Sequence, residues 1–410
     1  MNLYTTYSKE DLNKVSAKDL EIVKGYSNNL NNHLNNIKQR ILIDDNTLIS
    51  IIAAINAGFN IILYGPPGTA KSTLSQFLPV EFYGAKCNMH TADSEWNVRK
   101  VIGGLTVSYD TSAGEPKEKI TPKEGYLVED IMECYESNLC AKEHNTVFTI
   151  IDEFNRTNMD ECLGPMFTAI GSDNKTLKLD FNKGFNDHLL EIQIPKQYRI
   201  ICNMNKYDRT FTNELSDALS RRFKWIYIGA PNEDQYTAEN AIARNNVFGS
   251  VSTIEPEMPS TFESIVPYED SNFFKETIES PMLAVIDELR KDLEIGTSYK
   301  IDSIKLAYHF MRLKLNLINW DEYDGVNETE LLNANNLDTL KEKLTDPAKQ
   351  DPFEKVINTL IEETIDAALV MTVIPACESL EEEDAIKRIK NLFDKYIRCT
   401  KELGRMKLIF

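Results

Sequence analysis

The sequence predicts an α/β fold, in which a parallel β-sheet is flanked by helices and followed by an α-helical C-terminal domain. Apolar runs of strand length occur at 59–64, 146–151 and 198–202, and each leads into polar residues. Segments with the 3.6-residue spacing of amphipathic helices lie between these runs, and beyond Pro231 the pattern becomes helical. Strands that alternate with helices favour a parallel sheet covered on both faces.

The chain length predicts more than one domain. At 410 residues the chain is long for a single hydrophobic core. We predict an N-terminal helical segment at 1–44, an α/β core at 45–231 and an α-helical region at 232–410. No credible membrane span or signal peptide is predicted, because the longest apolar stretches are short or interrupted by Asn and Pro.

The charge and the cysteines narrow the class of protein. The formal net charge is −19, which argues against a broadly basic surface for nucleic acid, although a small basic channel stays open. The 7 cysteines are scattered and include no C-x-x-C pair. This usage indicates reduced thiols in a cytoplasmic protein rather than a disulfide framework.

Two helices are predicted before the first strand. Apolar residues recur at three- and four-residue steps from Val23 to Ile41, which predicts a long amphipathic helix. We expect this helix to pack on its own domain, and binding of a partner is the alternative. A second helix is predicted at about 47–57. After the first strand a short helix is expected to stop at Pro79, with another strand at 81–87.

The stretch between the first strand and the next helix predicts a phosphate-binding loop. Backbone N–H groups of such a loop and the helix N-terminus attract anions. Lys71 would reach the phosphates and the Ser72 hydroxyl would ligate Mg²⁺. Ala70 stands where the general pattern has Gly, and it is tolerable if its φ is negative. The predicted nucleotide-binding residues are Gly65, Pro66, Pro67, Gly68, Thr69, Ala70, Lys71, Ser72 and Thr73.

Two carboxylates follow the second central strand. The polar region at 91–125 is long for a connection and predicts an insertion or a functional loop, and 126–140 is predicted to be a helix. The strand at 146–151 then ends in Asp152 and Glu153. Ligands of parallel sheets bind beyond the carboxyl ends of the strands. We therefore expect Asp152 to hold Mg²⁺ and Glu153 to polarise an attacking water, rather than both merely capping a helix.

The core ends with a hairpin and two more strands. Alternating residues around a turn predict a β-hairpin at 176–194. A third central strand at 198–202 runs towards Asn205, and a last strand at 224–228 precedes Pro231. This order adds one polar side chain, that of Asn205, to the ligand-binding edge.

The C-terminal half is predicted to be helical, with one exposed linker. A helix to about 245 is followed by a linker rich in Ser, Pro and Glu at 249–270. A further helix is predicted to begin at Ser280-Pro281. Lys300 lies at the start of a long helix marked by apolar residues from Ile304 to Ile318.

These motifs, in this order, resemble the AAA+ ATPases, and in particular the dynein-related subfamily that includes the MoxR-like and McrB-like proteins. The loop Thr69–Ser72 looks more like that of the MoxR-like proteins. The Asp152–Arg156 and Met204–Asn205 stretches look more like those of the McrB-like proteins. The resemblance covers about 45–231, and its matching stretches are Ile150–Arg156, Met204–Asn205, Asp208–Arg209 and Ala218–Phe223.

The resemblance implies further site residues. Asn205 would be the sensor 1 residue, and Arg221 and Arg222 would include an arginine finger that enters the neighbouring subunit's site. The helical region would be a lid, and Lys300 would stand at the sensor 2 position, where the family usually has Arg. A lysine keeps the charge but lacks the bidentate fork. The alternative for Lys300 is a solvated residue at a helix start.

The resemblance also implies an activity and partners. We expect an ATPase that binds ATP and Mg²⁺, assembles as a ring, usually a hexamer, and remodels a partner protein. On the MoxR side the partner would be a protein with a von Willebrand A domain and the task chaperone-like maturation. Two alternatives stay open: a McrB-like GTP-dependent motor coupled to a nuclease acting on DNA, and a nucleotide-gated scaffold with little hydrolysis.

Overall fold

The computed structural model describes residues 14–15, 26–110, 117–140, 144, 146–170, 175–185, 190–205, 217–248, 271–323, 325–334, 337–379, 383–394 and 396–407. The backbone contacts divide the chain into two compact units, Met1–Gly229 and Ala230–Phe410. The predicted linker at 249–270 and the Asp208–Arg209 stretch lie outside the described residues.

The first unit alternates strands and helices. Its strands are β1 (Asn60–Gly65), β2 (Lys86–Thr91), β3 (Gly103–Asp110), β4 (Lys117–Glu124), β5 (Val147–Asp152), β6 (Thr176–Lys178), β7 (Glu191–Gln193), β8 (Arg199–Asn205) and β9 (Phe223–Tyr227). Its helices are α1 (Tyr26–Lys38), α2 (Asp45–Asn56), α3 (Lys71–Tyr83), α4 (Val98–Val101), α5 (Tyr126–Leu139), α6 (Met159–Ile170) and α7 (Asp217–Arg222).

A five-stranded sheet in the order β2-β5-β8-β1-β9 forms the centre of this unit, and every pairing in it is parallel. This confirms the predicted fold class. Gly65 is paired with Asn205, and Ile151 with Cys202. The ends of β1, β5 and β8 therefore meet at one edge, which brings the predicted phosphate loop and the predicted polar residues together.

The helix after the phosphate loop is longer than predicted. α3 continues through Pro79 to Tyr83, and Gly84 ends it with φ 56°. The predicted stop at Pro79 was therefore wrong. Phe82 is fully buried and Tyr83 nearly so, and this burial offsets the cost of a proline inside a helix. Because the helix continues to Tyr83, the next strand begins at Lys86 rather than at residue 81.

Two hairpins lie outside the central sheet. The polar region at 91–125 contains α4 and an antiparallel pair, β3 and β4, with Val107 opposite Ile120. The predicted hairpin at 176–194 is confirmed, since β6 and β7 pair antiparallel with Leu177 opposite Ile192.

The N-terminal helix α1 packs on α3. His33 Nδ1 lies 2.7 Å from Glu81 Oε1, and Asn36 Nδ2 donates to the same oxygen at 2.8 Å. Ile37 and Ile41 are buried in the cluster that contains the apolar side of α3. The helix that we expected to pack on its own domain is thus part of the first unit.

The second unit is helical. Its helices are α8 (Tyr236–Phe248), α9 (Asn272–Phe274), α10 (Ser280–Leu289), α11 (Thr297–Leu315), α12 (Glu328–Asn333), α13 (Leu337–Lys341), α14 (Gln350–Thr372), α15 (Glu383–Leu392) and α16 (Ile397–Lys407). A π-helical segment, Lys275–Glu279, joins α9 to α10. The helical backbone therefore begins at Asn272, where Ser271 caps it, and not at Ser280 as predicted.

The second unit has one core of its own. Helices α11 and α14 pack against each other, and Ile304, Met311 and Leu369 are completely buried. Among the described residues no helix combines the length and the apolar character needed to cross a bilayer. All seven cysteines are free thiols.

Candidate active site

The loop between β1 and α3 has a backbone that only certain residues can adopt. Gly65 has φ +155°, and a Cβ atom there would lie 2.1 Å from the carbonyl oxygen of Ile228. Ala70 has φ 61°, so the condition of a negative φ, under which alanine would fit without strain, is not met. The left-handed conformation at Ala70 leads directly into Lys71, the first residue of α3. The left-handed backbone of a non-glycine residue is strained, and here it immediately precedes the first residue of the helix.

The side chain of Lys71 lies inside this loop. Its Nζ donates to the carbonyl oxygens of Pro66 at 2.6 Å and Gly65 at 3.1 Å. Burial lowers the pKa of Lys71 to about 8, although Glu153 and Asp152 act in the opposite direction. Carbonyl groups hold the ammonium weakly compared with charged oxygens. A bound phosphate would therefore be a stronger partner than the loop.

Ser72 and Asp152 are in direct contact. Ser72 Oγ lies 2.9 Å from Asp152 Oδ1 and 3.1 Å from Oδ2. Both supply hard oxygen atoms, which Mg²⁺ prefers. Among the described residues no group of three or more His, Cys, Asp or Glu could hold a metal ion by itself. The pair thus fits a Mg²⁺ ion that completes its coordination with phosphate and water, as Mg²⁺ usually does with nucleotides.

Glu153 stands next to this pair with its carboxylate held by two neighbours. Asn205 Nδ2 lies 3.2 Å from Oε1 and 3.3 Å from Oε2. Arg156 Nε lies 3.2 Å from Oε2. Glu153 itself has φ 53°, an uncommon value for a non-glycine residue. Such backbone outliers are frequent at functional sites.

The two arginines at the end of α7 differ in their surroundings. Arg222 Nε donates to the carbonyl of Phe167 in α6 at 2.6 Å, and its guanidinium lies 5.8 Å from the Phe167 ring centroid. Arg221 is exposed. Arg221 is therefore the more exposed of the two arginines, while Arg222 is half-buried.

Lys300 is not a solvated residue. It is fully buried in the second unit, and its Nζ lies 2.9 Å from Glu239 and 2.6 Å from both Asp287 and Asn240. Arg290 makes a two-pronged contact with the same glutamate. The alternative of a solvated lysine was wrong, because these ion pairs engage the ammonium within the second unit. A contact with nucleotide stays a prediction.

Two residues of this site, Asn203 and Arg156, were not predicted from the sequence. Asn203 Nδ2 donates to Ser75 Oγ at 2.9 Å and to Asp152 Oδ1 at 3.2 Å. Arg156 contacts Glu153. A signal was present for Asn203, since residues two apart in a strand share a face, and Asn205 had already been assigned to the site. For Arg156 the three-residue spacing from Glu153 was the available signal.

A parallel sheet with a phosphate loop at the end of its first strand, and a Ser-Asp pair beside it, defines a P-loop nucleoside triphosphatase fold. The particular family follows from residues 60–223, which match the family model described as the AAA domain of the dynein-related subfamily. This domain belongs to the dynein-related AAA+ ATPases. A search of curated proteins gave no match to the chain.

Proposed function

We propose that this protein hydrolyses ATP with Mg²⁺ and uses the free energy of hydrolysis to remodel a partner protein. The observation that carries the proposal is the grouping at one sheet edge. Ser72 contacts Asp152, and Asn205 contacts Glu153, all within 3.3 Å, beside the loop that contains Lys71. Binding, metal placement and water activation need these residue types close together.

Each residue has a role in this proposal. Lys71 and the backbone amides of the loop would bind the phosphates, while Ser72 and Asp152 would hold Mg²⁺. The ion, when bound, neutralises charge on the phosphoryl group. Glu153 would orient and polarise the attacking water. Asn205 would hold the Glu153 carboxylate in place, because its amide already contacts both oxygens.

Assembly into a ring completes the proposal. AAA domains commonly form rings, and an arginine from the next subunit would stabilise charge on the transferring phosphoryl. Arg221 is the better candidate for this finger, because it is exposed, whereas Arg222 is bound to Phe167 within its own chain. Residues 45–231 would act as the core and 232–410 as the lid. The client would be a protein with a von Willebrand A domain, matured in a chaperone-like manner, and the ring a hexamer.

The central experiment compares hydrolysis by the wild type, Glu153→Gln and Lys71→Ala. Glu153→Gln should lower kcat by about 10²-fold or more while it keeps nucleotide affinity, because it removes only the general base. Lys71→Ala should lose affinity as well. Unchanged turnover of Glu153→Gln would show that the catalytic assignment is wrong.

The subunit and nucleotide assignments need separate measurements. Arg221→Ala should lose hydrolysis and keep nucleotide binding, and mixing it with Glu153→Gln should restore part of the activity, since each subunit would supply what the other lacks. Arg222→Ala is the matched control. Hydrolysis that is selective for GTP and stimulated by DNA would overturn the proposed function in favour of a DNA-directed motor.

A further inference from the structure

Asn203 is a buried amide that contacts the proposed metal-binding carboxylate. It lies in β8, where its side chain is 1% exposed. Its Nδ2 donates to Asp152 Oδ1 at 3.2 Å and to Ser75 Oγ at 2.9 Å. Because a carboxylate only accepts, the amide nitrogen and not the amide oxygen must face Asp152. The orientation of the Asn203 side chain is therefore fixed by chemistry.

The same orientation leaves the other end of the amide without a partner. Among the described residues, Asn203 Oδ1 is buried and accepts no hydrogen bond. A buried carbonyl oxygen without a donor destabilises the folded state. An apolar side chain of similar size would avoid this cost. Natural proteins tolerate such an unpaired buried polar atom mainly at sites where function requires the side chain.

The hydroxyl of Ser72 cannot hold Asp152 in every state. It contacts both carboxylate oxygens here, but in the proposed mechanism the same hydroxyl binds the metal ion. Ser75 does not compete with Asp152 as a donor to Asn203. Its Oγ donates to the carbonyl of Ser72 at 2.9 Å and only accepts from the Asn203 amide, which still donates to Asp152. Asn203 is thus the contact that can remain on Asp152 when Ser72 turns to the metal.

We infer that Asn203 is a positioning residue for the Mg²⁺ site, and that its amide aims the carboxylate of Asp152 at the ion. The inference rests on the proposed function, in which Asp152 and Ser72 hold Mg²⁺. Asn203 contacts Asp152 and Ser75 and would act through Asp152. Hydrogen-bond partners of metal-ligating carboxylates orient those ligands and affect metal affinity.

The test is metal affinity, measured apart from turnover. Asn203→Val removes the amide and the orphaned oxygen together. Binding of Mn²⁺ to the nucleotide-bound protein, followed by electron paramagnetic resonance, should weaken about 10- to 100-fold. Nucleotide affinity in EDTA should not change, and the unfolding temperature should not fall. Asn203→Ala is the second variant if β8 does not accept valine, and the same loss of Mn²⁺ affinity is expected.

Two comparisons separate positioning from a merely structural role. In an Asp152→Ala background, Asn203→Val should cause no further loss of Mn²⁺ affinity, because no carboxylate remains to be positioned. Ser75→Ala should keep nearly wild-type Mn²⁺ affinity, since it removes only the second acceptor. Wild-type Mn²⁺ affinity in Asn203→Val, or a loss that persists without Asp152, would overturn the inference. If the wild type bound no metal with nucleotide, the proposed function would fail as well.

Discussion

Replacing Gly65 by alanine tests whether the close approach of the loop to Ile228 contributes to the stability of the first unit. The new Cβ would lie 2.1 Å from the carbonyl oxygen of Ile228 and 3.0 Å from its carbonyl carbon. The backbone of Ile228 cannot move freely, because its N–H donates to the carbonyl of Tyr64 at 2.8 Å. The substitution therefore meets fixed backbone and not the flexible end of a side chain.

The size of the effect follows from two contributions. A non-glycine residue at φ +155° costs about 1–3 kcal/mol. Loss of the hydrogen bond that holds Ile228 adds about 0.5–1.5 kcal/mol. We expect Gly65→Ala to lower the free energy of unfolding by about 3 kcal/mol, and for a unit of this size each kcal/mol shifts Tm by about 2–4 °C.

Thermal unfolding followed by tryptophan fluorescence measures the change. Trp96 and Trp225 lie in the first unit, so a Trp320→Phe background makes the signal specific to it. Gly164→Ala is the control for loss of a glycine, because it lies in α6 and, apart from its chain neighbours, nothing lies within 4 Å of the added Cβ, so it should lower Tm less than Gly65→Ala does. Equal Tm values for Gly65→Ala and the background would refute the steric reasoning.

Three further predictions concern the second unit. Lys300→Met should destabilise this unit by about 3 kcal/mol in chemical unfolding, because it removes one of the two cations that pair with the buried Glu239 and leaves only Arg290, whereas Lys291→Met, at an exposed pair, should leave the midpoint unchanged. Burial tends to raise the pKa of Glu239, but Arg290 and Lys300 outweigh it and the pKa is lowered. The stability that Glu239 contributes is therefore present above its ordinary pKa of 4.5 and lost as the pH falls through the lowered value, and Glu239→Gln should flatten this pH dependence of the unfolding midpoint. Asp366 accepts from two backbone N–H groups at the start of α16, both at 2.8 Å, so Asp366→Ala should increase hydrogen exchange in α16 while exchange in α11 stays slow.

The sequence predicted the centre of the first unit better than its edges. Strands β1, β5 and β8 were found because continuous buried runs leave few alternatives, and they brought Lys71, Asp152 and Asn205 to one place. Pro79 was misread because local propensity predicts a stop, whereas the burial of Phe82 lies outside any local rule.

Backbone conformation and ion pairing were the other sources of error. The left-handed φ of Ala70 is imposed by the loop and the helix around it, which the residue type alone does not reveal. The burial of Lys300 depends on Glu239 and Asp287, which are distant in sequence and join it only in the folded unit. Asn203 differs from Lys300, because its position two residues before Asn205 in β8 was a usable signal, and only its contact with Asp152 required the folded unit.

The packing of α1 has a practical consequence for anyone who trims the chain. The family match begins at residue 60, yet Ile37 and Ile41 belong to the same buried cluster as Leu78 and Phe82 of α3. A recombinant fragment limited to the matched segment would expose that side of the phosphate-loop helix to water. We expect such a fragment to aggregate or to bind nucleotide poorly. The evolutionary module that sequence comparison recognises is therefore smaller than the piece that must be expressed.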